Sequence, residues 1–314
     1  MIKIYNENLT LVKSLQAHTQ IINGIELLPN GFVATCSDDS TLKLWDASNN
    51  NWNLIGNYMG HSKQVYSFEY IDSDRIATSS EDQTIRIWSI SSVQTIRMIN
   101  ASSQCFSLQL LSNKIHLAAG LNSNINIYDI NSGTLIYTLT GHTSQVRDLA
   151  LIGTDLLASA SWDATIRIWN LNSGTTTFVL QSHTYWVTGL KVISLDMLAS
   201  SSWDNTIKLW NITSGSLIRT LTNHTGYLSR SIDVLNGLSG GQPQSRLVSG
   251  SYDQTIKLWD IQSGQLLKSI ETGLTITHLS ITTGKWIFKR MFFILTNSVY
   301  HQNLRGKTIF FRKS

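Results

Sequence analysis

Five tryptophans in this chain stand at the end of a fixed measure. His18, Asp39 and Trp45 are separated by steps of 21 and then 6 residues, and the same steps recur for His61, Asp82 and Trp88, for His142, Asp163 and Trp169, and for His183, Asp204 and Trp210. A fifth set, His224, Asp253 and Trp259, keeps the second step and stretches the first to 29. Spacing held through four copies while the intervening residues change ties the three side chains to one folded unit. From residue 141 to 180 that unit reads GHTSQVRDLALIGTDLLASASWDATIRIWNLNSGTTTFVL. Four short runs rich in β-branched and aromatic residues, separated by turn residues, predict four strands.

The eight extra residues of the fifth copy fall around Asn236–Ser245, where NGLSGGQPQS predicts a mobile surface loop. A degenerate copy lies between the second and third of the regular sets: Gln104–Leu110 and Ile125–Asp129 match the strand runs, but Asn122 stands for the aspartate and Tyr128 for the tryptophan, and the His is missing. In the first strands apolar residues follow at +3 and +5, as in Val146, Leu149 and Leu151, an odd step that predicts a β-bulge near the strand start.

With Gly60-His61, Gly141-His142, Trp45-Asp46 and Trp259-Asp260 in these places, the chain resembles the WD-repeat β-propeller family, whose blades of about 40 residues carry a Gly-His and a Trp-Asp pair. Drifted pairs stand at Ala17-His18, Ser182-His183, Asn223-His224, Trp169-Asn170 and Trp210-Asn211. The resemblance implies an all-β, seven-bladed propeller of four-stranded antiparallel blades, and one domain over residues 1–314. The expected blades are 19–60, 62–101, 102–141 (degenerate), 143–182, 184–223, 225–272 with the loop 236–245, and 273–298 joined by 1–17. An irregular basic tail, 299–314, follows them. Seven first strands can be counted, beginning near Ile21, Gln64, Gln104, Gln145, Trp186, Tyr227 and Thr275. Ile2–Asn6 reads like a third strand, so the ring is expected to close by N-terminal strands completing the last blade, with residues 307–313 as the competing candidate for that place.

The formal charge of +4 hints at nucleic acid until it is divided along the chain. From Thr272 onward there are seven basic side chains and no acidic one, leaving 17 basic against 20 acidic in the body. Lys43, Arg86, Arg167, Lys208 and Lys257 each stand two before a third-strand Trp, an architectural position rather than a phosphate-tracking cluster. Cys36 and Cys105 have no Cys-x-x-Cys spacing, which points away from a disulfide framework and a thiolate metal site and toward a reducing compartment. The start MIKIYNENLT lacks the basic head and apolar core of a signal peptide, and no apolar run of about 18 residues exists to span a bilayer.

Five His and five Asp spread one per blade do not converge on a metal or acid-base site. The resemblance implies instead a buried network in each blade, with the His linking the turn Asp to a second-strand Ser or Thr and to the third-strand indole. His116, His278 and His301 are isolated, and there is no nucleophile elbow, phosphate-binding loop or zinc spacing. No catalytic residue, cofactor or metal is expected.

Two kinds of position vary where, in this family, side chains project around the top of the central channel: the third and fifth residues after the His, and the residue before the Asp. They hold Tyr66, Phe106, Arg147, Trp162, Trp186, Trp203, Tyr227 and Tyr252, with Gln64, Gln145, Asp38 and Glu81. Aromatics and Arg dominate binding hot spots, so these eight residues, densest over the fourth to sixth blades, form the expected partner-binding patch. The competing reading lays the rings flat on neighbouring blades as packing. The expected function is a non-catalytic scaffold or adaptor for a protein or peptide, a monomeric propeller within a larger complex, located in the cytoplasm with the nucleus left open. Nucleic-acid or acidic-lipid binding through the basic tail is the alternative.

Overall fold

Second strands such as Leu156–Ser161, LLASAS, and Met197–Ser202, MLASSS, are buried along almost their whole length, so neither of their faces meets water. Small Ala and Ser there leave room for the bulky third-strand residues of the adjacent sheet. The core therefore lies between sheets: Ala158, Ala160, Ile166 and Ile168 pack against Val187, Leu190, Leu198 and Trp210 of the next one. Fourth strands such as Thr175–Gln181 alternate between exposed and more buried positions, as outer edges do.

This computed structural model describes residues 1–5, 11–47, 52–239, 242–281, 291–296, 303–304 and 307–308. Six four-stranded antiparallel sheets are each built of strands consecutive in sequence, over residues 22–59, 65–100, 107–140, 146–181, 187–222 and 232–271; we call them blades one to six. A further four-stranded sheet is composite, in the order Leu11–Leu15, Ile2–Tyr5, Met291–Thr296, Thr275–Ile281. First strands contact one another in sequence order, and Thr275–Ile281 of the composite sheet touches both the first strand of blade six and Ile22–Leu27 of blade one. The architecture is an all-β propeller.

The contested place beside Met291–Thr296 is taken by Ile2–Tyr5, in register from Ile2 opposite Ile294 to Tyr5 opposite Met291. Lys307–Thr308 pairs instead with Asn303–Leu304 in a separate two-stranded sheet. The rest of 299–314 lies outside the described residues. Ile2 and Ile4 are fully buried against Ile22, Val33 and Trp45 of blade one, so the chain's start is part of the core.

Two expectations need correction. Asn236–Ser245 is not a loop apart from its tip: Ile232–Ser239 pairs with Gln242–Gly250 as far as Ser239 opposite Gln242, while residues 240–241 lie outside the described residues. Composition misled because a hairpin already in register extends by backbone pairing alone, and a two-stranded extension has open edges on which Pro is tolerated. The first strand of blade six, expected near Tyr227, begins at Ile232, and that of blade three at Ser107 instead of near Gln104.

Because Ile4 is fully buried in the apolar core shared with blade one, Ile4→Ala should cost about 2–5 kcal/mol in chemical denaturation. Removing residues 1–15 should strip two strands from the composite sheet and give aggregation or a large drop in melting temperature. A soluble deletion variant melting with the intact chain would show that these strands do not close the ring.

Candidate functional site

The repeated His, Asp and Trp meet in five near-identical networks. His Nδ1 lies 2.6–2.9 Å from the Asp carboxylate in the pairs His18–Asp39, His61–Asp82, His142–Asp163, His183–Asp204 and His224–Asp253. Nε2 lies 2.7–2.8 Å from Oγ of Thr35, Thr78, Ser159, Ser200 or Ser249. The indoles of Trp45, Trp88, Trp169, Trp210 and Trp259 donate to those same hydroxyls at 2.8–2.9 Å. An indole N–H can only donate and a carboxylate can only accept, so Nδ1 faces the carboxylate with a proton, and in a neutral ring the bare Nε2 accepts from the hydroxyl that accepts from the indole. The imidazole then carries its proton on Nδ1 and donates it to the Asp. Burial pushes His61, His183 and His224 below the usual His range, against the pull of their Asp partners.

Sequence reading missed two further members. The residue two after each Asp, as in Thr165, donates its hydroxyl to the carboxylate at 2.6–2.7 Å, and the serine two before it, as in Ser161, accepts the Asp N–H at 3.0–3.1 Å. A Ser-x-Asp-x-Thr run stood in all five copies to signal them. Burial works to raise Asp82, but the hydrogen bonds from Thr84, His61 and the Ser62 backbone outweigh it and hold the carboxyl down at about 2. In blade three the places of His, Ser, Asp and Trp are held by Ala101, Ala118, Asn122 and Tyr128. There Asn126 donates to the Tyr128 hydroxyl at 2.9 Å and accepts from Thr138 at 2.8 Å.

These networks fix one end of the ring. The residue before each Asp donates its backbone N–H to the carbonyl three after the His: Trp162 to Gln145, Trp203 to Trp186, Tyr252 to Tyr227, Glu81 to Gln64 and Asp38 to Ile21, all at 2.8–3.0 Å. Side chains from both positions therefore emerge at the same end. Rings of one blade stack on the next: Trp162 on Trp186 with centroids 4.1 Å apart and planes within 8°, Trp203 on Tyr227 at 4.6 Å and 6°. Trp186 reaches Trp203 at 4.8 Å, and Tyr252 lies 6.2 Å from Trp203. Tyr185, which the sequence reading passed over, is 44% exposed and lies 5.0 Å from Trp186. Its Tyr-Trp pairing with a face position was the available signal.

Three assignments change. Phe106 is buried and offers no contact area. Arg147 is held among rings, its guanidinium carbon 5.5 Å from Tyr66, 4.8 Å from Phe106 and 4.9 Å from Trp162. Trp162, Trp186 and Trp203 are only part-exposed because they stack on each other. Tyr66, Arg147, Trp162, Trp186, Trp203, Tyr227 and Tyr252 thus form one continuous strip from blade two to blade six, in which packing and display coincide.

The bulges expected at the first-strand starts occur between Ile22 and Gly24, Val65 and Ser67, Val146 and Asp148, Val187 and Gly189, and Ile276 and His278. Each aims its extra residue at the channel mouth. Blade six has one residue more at this point, Ser229 and Arg230 where blade four has only Arg147. Arg230 crosses the channel and donates to the carbonyls of Tyr66 at 3.2 Å and Phe106 at 2.8 Å. His278 beside it, pushed down to about 3 by burial and then by this cation, is neutral. Arg230 separates a small cavity of about 40 Å³ at the mouth from one of about 520 Å³ beyond. The larger one is lined by Glu26, Glu69, Gln109, Asp148, Lys191 and Asp233, and burial with the neighbouring Glu26 raises Glu69 to about 8. No cluster fit to hold a metal ion occurs among the described residues.

The family model "WD domain, G-beta repeat" matches residues 9–46, 52–89, 133–170, 174–211 and 215–260. The chain belongs to the WD40-repeat family. Each match runs from a fourth strand through the next three, one strand out of step with the blades, and the stretch left between 89 and 133 holds the first three strands of the degenerate blade. Among solved structures the chain is similar to the WD40 β-propeller domain of Doa1, at 20% identity and TM-score 0.73 over 89% of this chain and 95% of that one. That likeness supports the fold alone. No curated protein matches the sequence.

Asp163→Ala leaves the His142 Nδ1–H without its acceptor in a buried site and should destabilise by about 1–3 kcal/mol, while Asn122→Ala in blade three should cost less. Burial works to raise Asp163, but hydrogen bonds from His142 and Thr165 outweigh it and hold the carboxyl well below its ordinary 3.8, so it contributes stability that is present above 3.8 and lost as pH falls through its folded value. The midpoint of acid unfolding should therefore move to higher pH in Asp163→Ala. Coincident denaturation curves for Asp163→Ala and wild type would remove the network from the account of stability.

Proposed function

We propose that this protein is a non-catalytic scaffold, a closed seven-bladed propeller that holds a protein or peptide partner on the aromatic strip at the channel mouth. WD40 propeller domains mediate protein–protein interaction, and the composite sheet of both chain ends supports the count of seven. The observation that carries the choice of face is the strip itself. Its outer members Tyr185 and Tyr227 are 44% and 40% exposed although stacked on a rigid ladder, so they offer apolar area whose rotamers are already fixed. Aromatic anchors of this kind bind at low entropic cost. Exposed aliphatics elsewhere, such as Ile96, Ile136 and Ile218, lie on the outer edge strands of separate blades and not on this face. Buried free thiols at Cys36 and Cys105 accord with the cytoplasmic location we propose.

Trp203 packs on four rings, Tyr185, Trp186, Tyr227 and Tyr252, so Trp203→Ala should lower stability together with binding. The sharper variant is Tyr185→Ala with Tyr227→Ala. It should weaken a partner recovered with the intact protein by about 2 kcal/mol or more, as a hot spot does, with the melting temperature nearly unchanged. Ile136→Ala with Ile218→Ala on the rim should bind as wild type. Pull-down with mass spectrometry and melting of the same three proteins decides it: partners lost from the rim variant and kept by the face variant would sink the proposal.

A further inference from the structure

The small cavity at the channel mouth is a convergence of hydrogen-bond donors. Its wall includes Arg147 and Trp162, its floor is Arg230, and Thr277, the bulge residue of the composite sheet, closes the side. Thr277 is 7% exposed, and its hydroxyl has no hydrogen-bond partner among the described residues; the Trp162 indole nitrogen is buried and equally unpartnered. Leaving two such buried groups without a partner in the protein is costly, so a site that keeps them is suited to an acceptor that enters from outside. The two arginines set the sign of that acceptor. Arg230 spends two donors on the neutral carbonyls of Tyr66 and Phe106, and its contact to the Asp148 carboxylate, 3.8 Å, is longer than a hydrogen bond. Burial also pushes Asp148 toward its protonated form, against the pull of Arg230. Arg147 is surrounded chiefly by uncharged rings, with the Asp38 carboxylate at the rim, itself raised by burial and accepting from Asn23 at 2.7 Å.

We propose that this cavity is a carboxylate subsite, and that the partner on the aromatic strip places an aspartate or glutamate side chain in it. The inference rests on the docking face proposed above and adds the chemistry of its occupant. The space, about 40 Å³, exceeds the roughly 10–15 Å³ that one water needs on such a measure and suits a carboxylate head. A C-terminal carboxylate would bring its α-carbon and last side chain with it, whereas a side-chain carboxylate enters on a single methylene. Thr277 Oγ1–H and Trp162 Nε1–H then donate to an ionised acceptor, the stronger class of hydrogen bond, with two guanidinium charges beside it. The arrangement exists because blade six carries an additional residue: Gly189, whose Cβ would come within 3.1 Å of the Arg230 Cα, leaves the room that Arg230 needs.

The test uses the full chain and three capped dipeptides, acetyl-Phe-Glu-amide, its glutamine isostere acetyl-Phe-Gln-amide, and acetyl-Phe-Ala with a free C-terminus. The readout is the Trp162 indole N–H resonance, assigned with Trp162→Phe. The glutamate probe should shift that resonance saturably at millimolar concentration, and the other two should bind roughly tenfold more weakly, the factor expected for losing a charge-assisted hydrogen bond. Thr277→Val, which keeps the side-chain shape, should weaken the glutamate probe several-fold at unchanged melting temperature, and Arg147→Gln should weaken it several-fold while also lowering the melting temperature, because it removes the cation from three rings. Equal binding of the glutamate and glutamine probes, or no shift of the Trp162 resonance, overturns the subsite without any variant having to fold. A stronger response to the free C-terminus overturns the choice of side chain. Partner loss on Tyr185→Ala with Tyr227→Ala, alongside a silent Trp162 resonance, would keep the docking face and discard the carboxylate.

Discussion

Each regular blade hangs on one proton relay: indole N–H to hydroxyl, hydroxyl to imidazole, imidazole to carboxylate. The direction is set from its two ends, because an indole cannot accept and a carboxylate cannot donate: Nδ1 holds the proton of a neutral ring, and Nε2 is left to accept from the hydroxyl. The carboxylate at the end also gathers the backbone N–H just after the His and the N–H and hydroxyl of the Thr two residues after itself. One group therefore locks the entry to the first strand, the turn between the second and third strands, and the third-strand Trp. The turn needs this hold, since the residue after each Asp, such as Ala164 at φ 67°, is left-handed without being Gly.

Fixing that end of every blade also fixes what stands on it. Backbone hydrogen bonds link the position before the Asp to the position three after the His, so rings placed there are delivered at one height and can stack from blade to blade. An aromatic strip of this kind packs within the monomer, and under the proposed function the same rings meet the partner, so packing and recognition, posed as rivals in the sequence, need not exclude each other. Display is greatest at Tyr185 and Tyr227, which are 44% and 40% exposed.

Much of this was legible because it is periodic. Steps of 21 and 6 residues located the networks, the +3 and +5 apolar steps located the bulges, and Ile2–Asn6 announced its strand by likeness to the other third strands. What escaped was what occurs once. Arg230 follows from a single inserted residue, visible as apolar steps of +4, +8 and +10 from His224 where His142 has +4, +7 and +9, but its reach across the channel depends on the small neighbour Gly189. Arg147 could be placed on the face but not inside a cage of rings, because Tyr66 and Phe106 belong to other blades. The Asn236–Ser245 insertion failed for the opposite reason: its composition was read locally while its backbone pairing was set by the hairpin below it.

The non-periodic residues converge on the blade that lacks the relay. Blade three has Ala101 and Ala118 where the others carry imidazole and hydroxyl, so nothing comparable ties its turn to its strands from within. Its Phe106 carbonyl accepts from Arg230, its Phe106 ring lies under Arg147, and Tyr66 of blade two shares both contacts. Two cations projected from blades four and six therefore meet at the entry to the blade that lacks the relay. Under the carboxylate proposal, an acceptor entering the mouth would draw on the same two guanidinium groups, which are oriented by the carbonyls and rings of blades two and three. Occupancy of the mouth and order in blade three would then be linked through Arg147 and Arg230, and the linkage would run in both directions as any binding coupling must.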